Sequence, residues 1–482
     1  MSETNITKPN EGKEAVRETE KQREFMSLVK EMTLSTAKAK GRDLTACVIT
    51  FGCQMNERDS EKLKGILTEC GYRLTEYEKA DLVLFNTCTV RENANDRLYG
   101  RLGAIGRVKR DNPDMIIGVC GCMTQEADEV GKLQKSYPFV DLIFGTFNVY
   151  KLAEILHSRL ISGSTVTDIW ESNDEFVELL PTKRKYPFKS GVNIMYGCDN
   201  FCTYCIVPYV RGREKSRASD DIVREIERLT EDGVAEVMLL GQNVNSYGKG
   251  LVEDIDFAGL LKKVEDIDKL KRIRFMTSHP KDLSDALIDV MAASDKICNH
   301  IHLPLQSGST EILKRMNRGY SKEDYLELVR RIREKMPNIS ITTDIIVGFP
   351  GETKEDFEET LDVVRQVGFD SAYTFIYSKR TGTPAAKFDD LPDKKDIDER
   401  FNELLAVIKE ISAKRAEKLV GETLEVLAEG IDSHDDKLIT GRLSNNMLVH
   451  FPGTDKSIGK IVNVKIEESK GFYYFGTEVK YG

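Results

Sequence analysis

The chain has 482 residues and a formal net charge of −10, with 40% hydrophobic and 31% charged residues. Such a composition is typical of folded globular domains, and at roughly 150 residues per domain the length suggests about three of them. It excludes a protein that spans a membrane, because no run of about 18 apolar residues occurs, and one covered by a basic nucleic-acid-binding surface.

The N-terminus is polar and lacks the apolar segment of a signal peptide, which predicts a cytoplasmic location. Ten cysteines in a chain of this length are too sparse for a disulfide scaffold. In a reducing compartment, clustered cysteines indicate metal ligands or redox groups instead. Contact with nucleic acid would have to come from local basic patches, such as KRK at residues 183–185 or RGREKSR at residues 211–217.

Residues 1–44 form a charged extension with one loose helix predicted around EFMSLVKEM. From 45 to 160 the apolar runs ACVITF, DLVLFN, MIIGVC and VDLIFG each precede a stretch of helical pattern. Short strands that alternate with helices predict a parallel, Rossmann-like α/β domain with helical cover. A weaker segment at residues 161–182 is predicted to be a linker.

The alternation restarts at residue 183 and continues to 412, with the predicted strands VNIMY, EVMLLG, IRFMTS, HIHLPLQ, ITTDIIVGF and SAYTFIY. Six βα units predict a barrel or part of one, whose ligands would collect at the carboxyl ends of the strands. Residues 413–482 consist of short strand-like runs between Gly, Asn and Asp turns. They predict a small all-β barrel, a fold that often binds nucleic acid.

The first cysteine group lies in GCDNFCTYC, which places Cys198, Cys202 and Cys205 in the pattern C-x3-C-x2-C after the first strand of the predicted barrel. Unrelated core cysteines and a zinc site are the alternatives. Zinc needs a fourth Cys or His, and none lies between residues 192 and 217. Three thiolates can instead hold a 4Fe–4S cluster by three irons, which leaves the fourth iron free to bind a cofactor or substrate.

The second group is formed by Cys53, Cys88 and Cys122, which are 35 and 34 residues apart and each follow a predicted strand. Because parallel strands end at one edge of a sheet, three thiols could meet there and hold a second cluster. Burial in the core is an equal alternative for cysteines at strand ends. Spacing does not choose Cys122 over Cys120, and the cysteines without this loop placement are predicted to be incidental: Cys47, Cys70, Cys120 and Cys298.

The pattern C-x3-C-x2-C with Tyr204 before its last cysteine resembles the radical S-adenosylmethionine superfamily. The resemblance implies a partial (β/α)6 barrel. It also implies that the open iron binds the methionine moiety of S-adenosylmethionine, which is cleaved to a 5′-deoxyadenosyl radical. Contacts to this cofactor are implied at Tyr204, Gln242, Asn243, Gln306, Ser307 and Ile346.

FGCQMN, NTCTV and GCMTQ, followed by YGCDNFCTYCIVPYVRGRE, resemble the methylthiotransferases from about residue 46 to the end of the chain. This implies that Cys53, Cys88 and Cys122 ligate an auxiliary 4Fe–4S cluster and that residues 413–482 are a TRAM domain. QMN after Cys53, VREN after Cys88 and MTSHP at residues 276–280 resemble the branch that acts on isopentenylated adenosine. The charged extension is not explained by the resemblance.

The resemblance implies methylthiolation of C2 of N6-isopentenyladenosine at position 37 of tRNA, with two molecules of S-adenosylmethionine. An unactivated aromatic C–H offers no acidic proton for acid–base catalysis, so a radical must remove it, and the base is expected to leave its stack. The implied partners are the tRNA anticodon stem-loop and an electron donor, with no membrane, for an enzyme expected to be a monomer. No catalytic residue is assigned beyond the six ligands. A methylthiotransferase for threonylcarbamoyladenosine or for a protein, and a non-catalytic iron–sulfur RNA-binding protein, remain alternatives.

Overall fold

The structure, a computed structural model, describes residues 11–89, 92–172, 176–178 and 180–479. The N-terminal domain is built on a six-stranded, fully parallel sheet in the order β2-β1-β3-β4-β5-β6. Its strands are β1 (Thr45–Thr50), β2 (Arg73–Leu74), β3 (Leu82–Thr87), β4 (Ile116–Gly121), β5 (Leu142–Phe144) and β6 (Val166–Asp168). Its helices are α1 (Glu11–Lys40), α2 (Gln54–Glu69), α3 (Glu92–Asp111), α4 (Ala127–Ser136) and α5 (Leu152–Ser162). The four predicted strands are β1, β3, β4 and β5, and the parallel α/β prediction is confirmed.

Two segments of the chain differ from what the sequence predicts. The described part of the charged extension contains a 30-residue helix, α1, rather than a loose one. This helix buries Met26 and Val29 and binds the carboxylate of Glu154 through Lys21, at 3.0 Å. The predicted linker contains β6, which pairs with β5 as the last strand of the sheet. Sequence periodicity missed β6 because it has only three residues and none of them is fully buried.

The middle part of the chain forms the predicted partial barrel. Strands β7, β10 and β11 form one parallel sheet and β12, β13 and β14 another, and a parallel bridge between Ile273 and Ile297 joins them. The strands of this barrel domain are β7 (Lys189–Asn193), β8 (Met195–Tyr196), β9 (Lys215–Ser216), β10 (Glu236–Leu240), β11 (Arg272–Phe275), β12 (His300–His302), β13 (Ser340–Val347) and β14 (Ser371–Ile376). The six main strands fall within or overlap the six predicted runs.

The helices of the barrel domain are α6 (Val207–Val210), α7 (Ser219–Glu231), α8 (Phe257–Glu265), α9 (Asp285–Ala293), α10 (Thr310–Arg315), α11 (Lys322–Lys335), α12 (Lys354–Val367) and α13 (Lys394–Glu417). Local sequence signals define several of them. Capping boxes of Ser321 with Asp324 and of Thr353 with Asp356 start α11 and α12. The largest hydrophobic core lies between these helices and the strands, so the carboxyl ends of the strands are left to polar loops.

The C-terminal barrel is closed by five strands in the order β15-β16-β17-β19-β18, as the all-β prediction required. They are β15 (Thr423–Ile431), β16 (Leu438–Leu443), β17 (Leu448–Pro452), β18 (Ile461–Ser469) and β19 (Tyr473–Glu478). Arg272 and Arg274 of β11 donate to backbone carbonyls of this barrel at 2.7 to 2.9 Å. These contacts join the C-terminal barrel to β11 of the barrel domain. Within the described ranges, no helix is long and apolar enough to cross a bilayer.

Candidate functional site

The cysteines of the second group meet at the carboxyl edge of the N-terminal sheet. Strand register places Thr50 beside Asn86 and Asn86 beside Cys120, and the three cysteines follow these positions by two or three residues. Burial raises the pKa of Cys122 to about 12; nearby Arg211 opposes this shift, and the charges of Cys88 and Cys53 add to it. The three thiols therefore lie within electrostatic reach of one another, although 34 and 35 residues separate them in sequence.

The structure also separates these cysteines from the remaining ones. Cys47, Cys70 and Cys120 pack in the hydrophobic cores of the N-terminal domain. Cys298 is buried beside Arg274 and Glu236. Cys120 lies in β4 and points into the core, whereas Cys122 begins the turn after the strand. None of the four shares the loop position of Cys53, Cys88 and Cys122.

Glycines bring the loops of the second group together. Gly52 and Gly121 immediately precede Cys53 and Cys122 and have φ values of +111° and +103°, which favour glycine. A Cβ atom on Gly52 would lie 2.3 Å from Cβ and 2.6 Å from Sγ of Cys88. These glycines are therefore required for the close approach of the three loops.

An amide and a guanidinium fill the space between the thiols of the second group. Asn56 donates to the carbonyls of Phe51 and Thr87 at 2.9 and 2.6 Å, which aims its Oδ1 to within 3.8 Å of Sγ of both Cys53 and Cys122. The sequence contains no signal for this role, because asparagine is common in the first turn of a helix.

Arg211 is the second such residue. Its Nε lies 3.3 Å from Sγ of Cys122, and its Nη2 donates to Oδ1 of Asn56 at 2.7 Å and to Asp59 at 3.0 Å. The prediction that residues 211–217 form a basic patch for nucleic acid is therefore wrong for the first and last residues of this segment. Arg211 and Arg217 are both buried, and Arg217 pairs with Glu225 at 2.8 Å.

The first group occupies the loop that follows β8. Burial raises the pKa of Cys198 to about 11 and that of Cys205 to about 12, and the thiolate of Cys202 adds to both shifts. Cys202 also accepts from Nη1 of Arg318 at 3.4 Å. Each cysteine group thus has one buried guanidinium in contact with one of its sulfurs. A positive charge at this position stabilises the anionic thiolate form of the cysteine.

The two groups are neighbours. Cys122 packs against Ile206 and Val210, which directly follow the first group in sequence and belong to the segment that forms α6. One short segment, residues 198–211, therefore carries the first group and delivers Arg211 to the second.

The predicted cofactor contacts are distributed over the mouth of the barrel. Tyr204 and Ile346 meet in one hydrophobic cluster with Phe349, and the backbone of Gln306 pairs with that of Ile346 at 2.9 Å. Ser307 is fully buried beside Thr360 and is used within the fold.

Gln242 and Asn243 lie three strands away from Ile346, after β10. The amide of Gln242 contacts Sδ of Met55 at 2.6 Å, and Asn243 donates to Asp282 at 2.7 Å. The structure therefore brings Tyr204, Gln306 and Ile346 together and leaves Gln242 and Asn243 on the opposite part of the mouth.

The donor atoms decide which inorganic group suits these sites. Among the described residues, no three or more His, Cys, Asp or Glu side chains are arranged to hold a metal ion, so neither group is a preformed site for a single zinc. Six soft sulfur donors in two groups of three, half of them buried and half partly buried, are instead the kind of ligand set that suits iron–sulfur clusters. The residues present fit one 4Fe–4S cluster per group.

Known protein families and relatives match nearly the whole chain. Models of the radical SAM superfamily, of an uncharacterized protein family UPF0004 and of the TRAM domain match residues 192–364, 45–145 and 417–479. The tRNA-2-methylthio-N(6)-dimethylallyladenosine synthase of Lachnoclostridium phytofermentans is 60% identical over 451 residues, which cover 94% of this chain and 99% of that protein. The synthase of the same name from Acetivibrio thermocellus is 50% identical, over 95% and 96% of the two chains.

Among solved structures, the radical S-adenosylmethionine methyltransferase TsrM from Kitasatospora setae aligns with a TM-score of 0.50 at 16% identity, over 78% of each chain. At this identity the similarity concerns the fold alone.

Proposed function

Because this chain belongs to the family of tRNA-2-methylthio-N(6)-dimethylallyladenosine synthases, we propose that it attaches a methylthio group to C2 of N6-isopentenyladenosine at position 37 of tRNA. The main observation in support is that one group of three cysteines directly precedes α6 in sequence, while Cys122 of the other group packs against this segment. A reaction that needs both a radical and a sulfur donor requires two such centres facing one substrate.

The six cysteines have two roles in this proposal. Cys198, Cys202 and Cys205 hold the 4Fe–4S cluster that binds S-adenosylmethionine, and the auxiliary cluster is held by Cys53, Cys88 and Cys122. When bound, the first cluster would supply the electron that cleaves S-adenosylmethionine to methionine and a 5′-deoxyadenosyl radical, and the auxiliary cluster would supply the sulfur that becomes the methylthio group.

The chain itself supplies burial, charge and position. Burial raises the pKa of Cys122 and Cys205 to about 12 each. These thiols therefore lose their protons only when a nearby positive charge stabilises the thiolate. Arg211 and Arg318 provide fixed positive charge at one sulfur in each group. Tyr204 and Ile346 offer an apolar wall beside the first group, which suits the adenosyl part of the cofactor.

The C-terminal barrel supports the RNA part of the proposal. His450, Tyr473 and Phe475 form an aromatic cluster with ring centroids 5.2 to 5.7 Å apart, and the neighbouring Phe472 is exposed. Exposed aromatic rings bind nucleotides by stacking, which needs little net positive charge. We place the tRNA contact of the TRAM domain on this cluster.

The proposal includes the division of the chain into an extension (1–44), an N-terminal methylthiotransferase domain (45–160), a connecting segment (161–182) that adds β6 to the sheet of that domain, a radical SAM domain (183–412) and a TRAM domain (413–482). It also includes a monomeric state, a cytoplasmic location and an electron donor, since reductive cleavage of S-adenosylmethionine consumes an electron. The VREN motif that supports this branch begins at residues 90 and 91, which lie outside the described residues.

The test is anaerobic reconstitution with iron and sulfide, followed by incubation with isopentenylated tRNA and nucleoside analysis. The wild type should form both 5′-deoxyadenosine and the methylthio nucleoside. Replacing Cys198, Cys202 and Cys205 by alanine should abolish both products, whereas replacing Cys53, Cys88 and Cys122 should abolish only the methylthio nucleoside. A well-folded protein without the second group that still makes the methylthio product would refute the proposal, and product formed only on threonylcarbamoylated tRNA would reassign the substrate.

A further inference from the structure

Two adjacent loops at the mouth of the barrel hold buried polar atoms without hydrogen-bond partners. The two loops follow β10 and β11. The unpaired atoms are Oδ1 of Asn243, Nδ2 of Asn245, Oγ of Ser278 and Nε2 of His279. Asn243, Ser278 and His279 are only 1 to 4% exposed. An unpaired buried polar group costs about 1–3 kcal/mol, so four in one place indicate a site that a ligand completes.

The two loops are held rigidly against each other. The N–H of Val244 donates to the carbonyl of Thr277 at 3.1 Å, and Oδ1 of Asn245 accepts from the N–H of His279 at 2.9 Å. Thr277 has a φ of +71°, a strained conformation for a β-branched residue. Strain of this kind persists at binding sites because it positions the neighbouring side chains.

The position of these loops relates them to both cysteine groups. The ring of His279 contacts that of Tyr320 with centroids 5.7 Å apart; the hydroxyl of Tyr320 accepts from Arg318 at 3.2 Å, and Arg318 contacts Cys202. In the other direction, Gln242 of the same loop as Asn243 contacts Met55, two residues after Cys53. The two loops are therefore connected by direct side-chain contacts to the surroundings of both groups.

Hydrogen bonding defines what the loops recognise. Nδ1 of His279 accepts from the N–H of Lys281 at 3.3 Å, so the ring proton is on Nε2. Burial, with the charges of Arg318, Lys281 and Lys249, lowers the pKa of His279 to about 2 and keeps the ring neutral. The free atoms are thus donors on His279 and Asn245, an acceptor on Asn243 and a hydroxyl on Ser278, a neutral set suited to a neutral heterocycle.

We propose that Asn243, Asn245, Ser278 and His279 form the pocket that reads the adenine ring of the RNA nucleoside to be modified. His279 and Asn245 donate to ring nitrogens, and Asn243 accepts from the exocyclic N6–H. The inference rests on the proposed function and assigns its specificity. It also assigns Asn243 to substrate binding, whereas the family resemblance implied that Asn243 contacts the cofactor. A 6-oxo purine presents an N–H where adenine presents an acceptor, so this pocket discriminates against it.

The experiment uses the reconstituted enzyme and two substitutions. His279→Phe keeps a ring against Tyr320 and removes the donor, and Asn245→Asp removes the second donor while it keeps the Oδ1 that accepts from the N–H of His279. Ser340→Ala is the matched control, because Oγ of Ser340 is also buried and unpaired but lies at the start of β13, at the opposite end of the barrel. Binding is measured to S-adenosylmethionine, and to anticodon stem-loop RNAs that carry isopentenyladenosine or guanosine at the reactive position.

We expect each test variant to lose the preference for the adenosine stem-loop by roughly tenfold or more, with unchanged affinity for S-adenosylmethionine and unchanged iron content. Ser340→Ala should change none of the three. A loss of S-adenosylmethionine affinity with the RNA preference intact would assign the pocket to the cofactor and overturn the inference, as would no change in either. Should His279→Phe not fold, as judged by circular dichroism, Asn245→Asp still decides, because it keeps the contact between the two loops. The binding measurements require no turnover, so a wild type that forms no methylthio product would refute the proposed function but leave the pocket tested.

Discussion

Replacing Arg211 by leucine tests whether this residue supports the second cysteine group. The guanidinium contacts Cys122, Asn56 and Asp59, and the side chains of Arg211 and Asp59 are 5% and 9% exposed. The substitution leaves the carboxylate of Asp59 buried without its cation and removes a donor from Cys122. Both stability and the electronic properties of a cluster held there should therefore change.

The stability effect is large because a buried charge is left unpaired. Removing one partner of a buried ion pair costs about 3–5 kcal/mol, whereas replacing both partners by apolar residues is often neutral. Arg211→Leu should therefore destabilise the protein by about 3–5 kcal/mol, and adding Asp59→Leu should recover most of this loss. Unfolding by urea, followed by circular dichroism for the four proteins of the double-mutant cycle, measures the coupling between the two residues.

The redox effect distinguishes support of a cluster from simple packing. Donors and positive charge at a ligating sulfur stabilise the reduced, more negative cluster. Arg211→Leu should therefore make the midpoint potential of the auxiliary cluster more negative, as measured by redox titration with electron paramagnetic resonance. Arg318→Leu should shift the potential of the other cluster only.

Arg217→Leu is the matched control for Arg211→Leu. Arg217 is equally buried six residues further along the chain, just after β9, but its partner Glu225 retains a second cation, Arg58, at 2.9 Å. This control should lose less stability and leave both potentials unchanged. The reasoning about Arg211 fails if Arg211→Leu and Arg217→Leu have the same effect on the auxiliary potential.

Three further predictions concern other parts of the chain. Gly52→Ala should lower the iron content from about eight to about four per chain, because its Cβ would clash with Cys88; Gly41→Ala, whose Cβ would meet nothing within 4 Å, should retain all the iron. Although burial alone would raise the pKa of Glu178, Lys62, Arg217 and Arg58 lower it to about 2. Its contribution to stability should thus be complete above pH about 4.5 and lost as the pH falls towards 2, and Glu178→Gln should flatten the acid limb of a denaturation profile. Removing residues 419–482 should weaken tRNA binding well beyond a few-fold while circular dichroism shows the remaining domains folded; equal binding would make the C-terminal barrel a structural cap.

The sequence predicted the elements whose signals are local. Alternating apolar runs identified the four longer strands of the N-terminal sheet and the six main strands of the partial barrel, and turn residues identified the C-terminal barrel. The spacing of Cys198, Cys202 and Cys205 is short enough to define a site by itself. The convergence of Cys53, Cys88 and Cys122 followed from a general property of parallel sheets, that their strands end at one edge.

The contributions of Arg211, Asn56 and His279 could not be predicted in this way. Arg211 lies in RGREKSR, whose charge density suggests an exposed surface, and only the packing of α6 on the N-terminal domain buries it. The lowered pKa of His279 results first from burial and then from the charges of Arg318, 39 residues away, and of Lys281 in its own turn. Such roles depend on which distant loops meet in the folded chain, and a single sequence contains no signal for that.

The short path from Cys205 to Arg211 has a consequence for the chemistry. Arg211 cannot move away from Cys122 without moving α6, and α6 cannot move without the loop that holds the first group, because Cys198 and Gly212 are joined by a backbone hydrogen bond of 3.2 Å. The separation of the two centres is therefore fixed by one rigid segment rather than by the flexibility between two domains. A radical formed at one centre and a sulfur carried at the other must reach the same carbon atom of one base, and a fixed separation is the geometric condition for that.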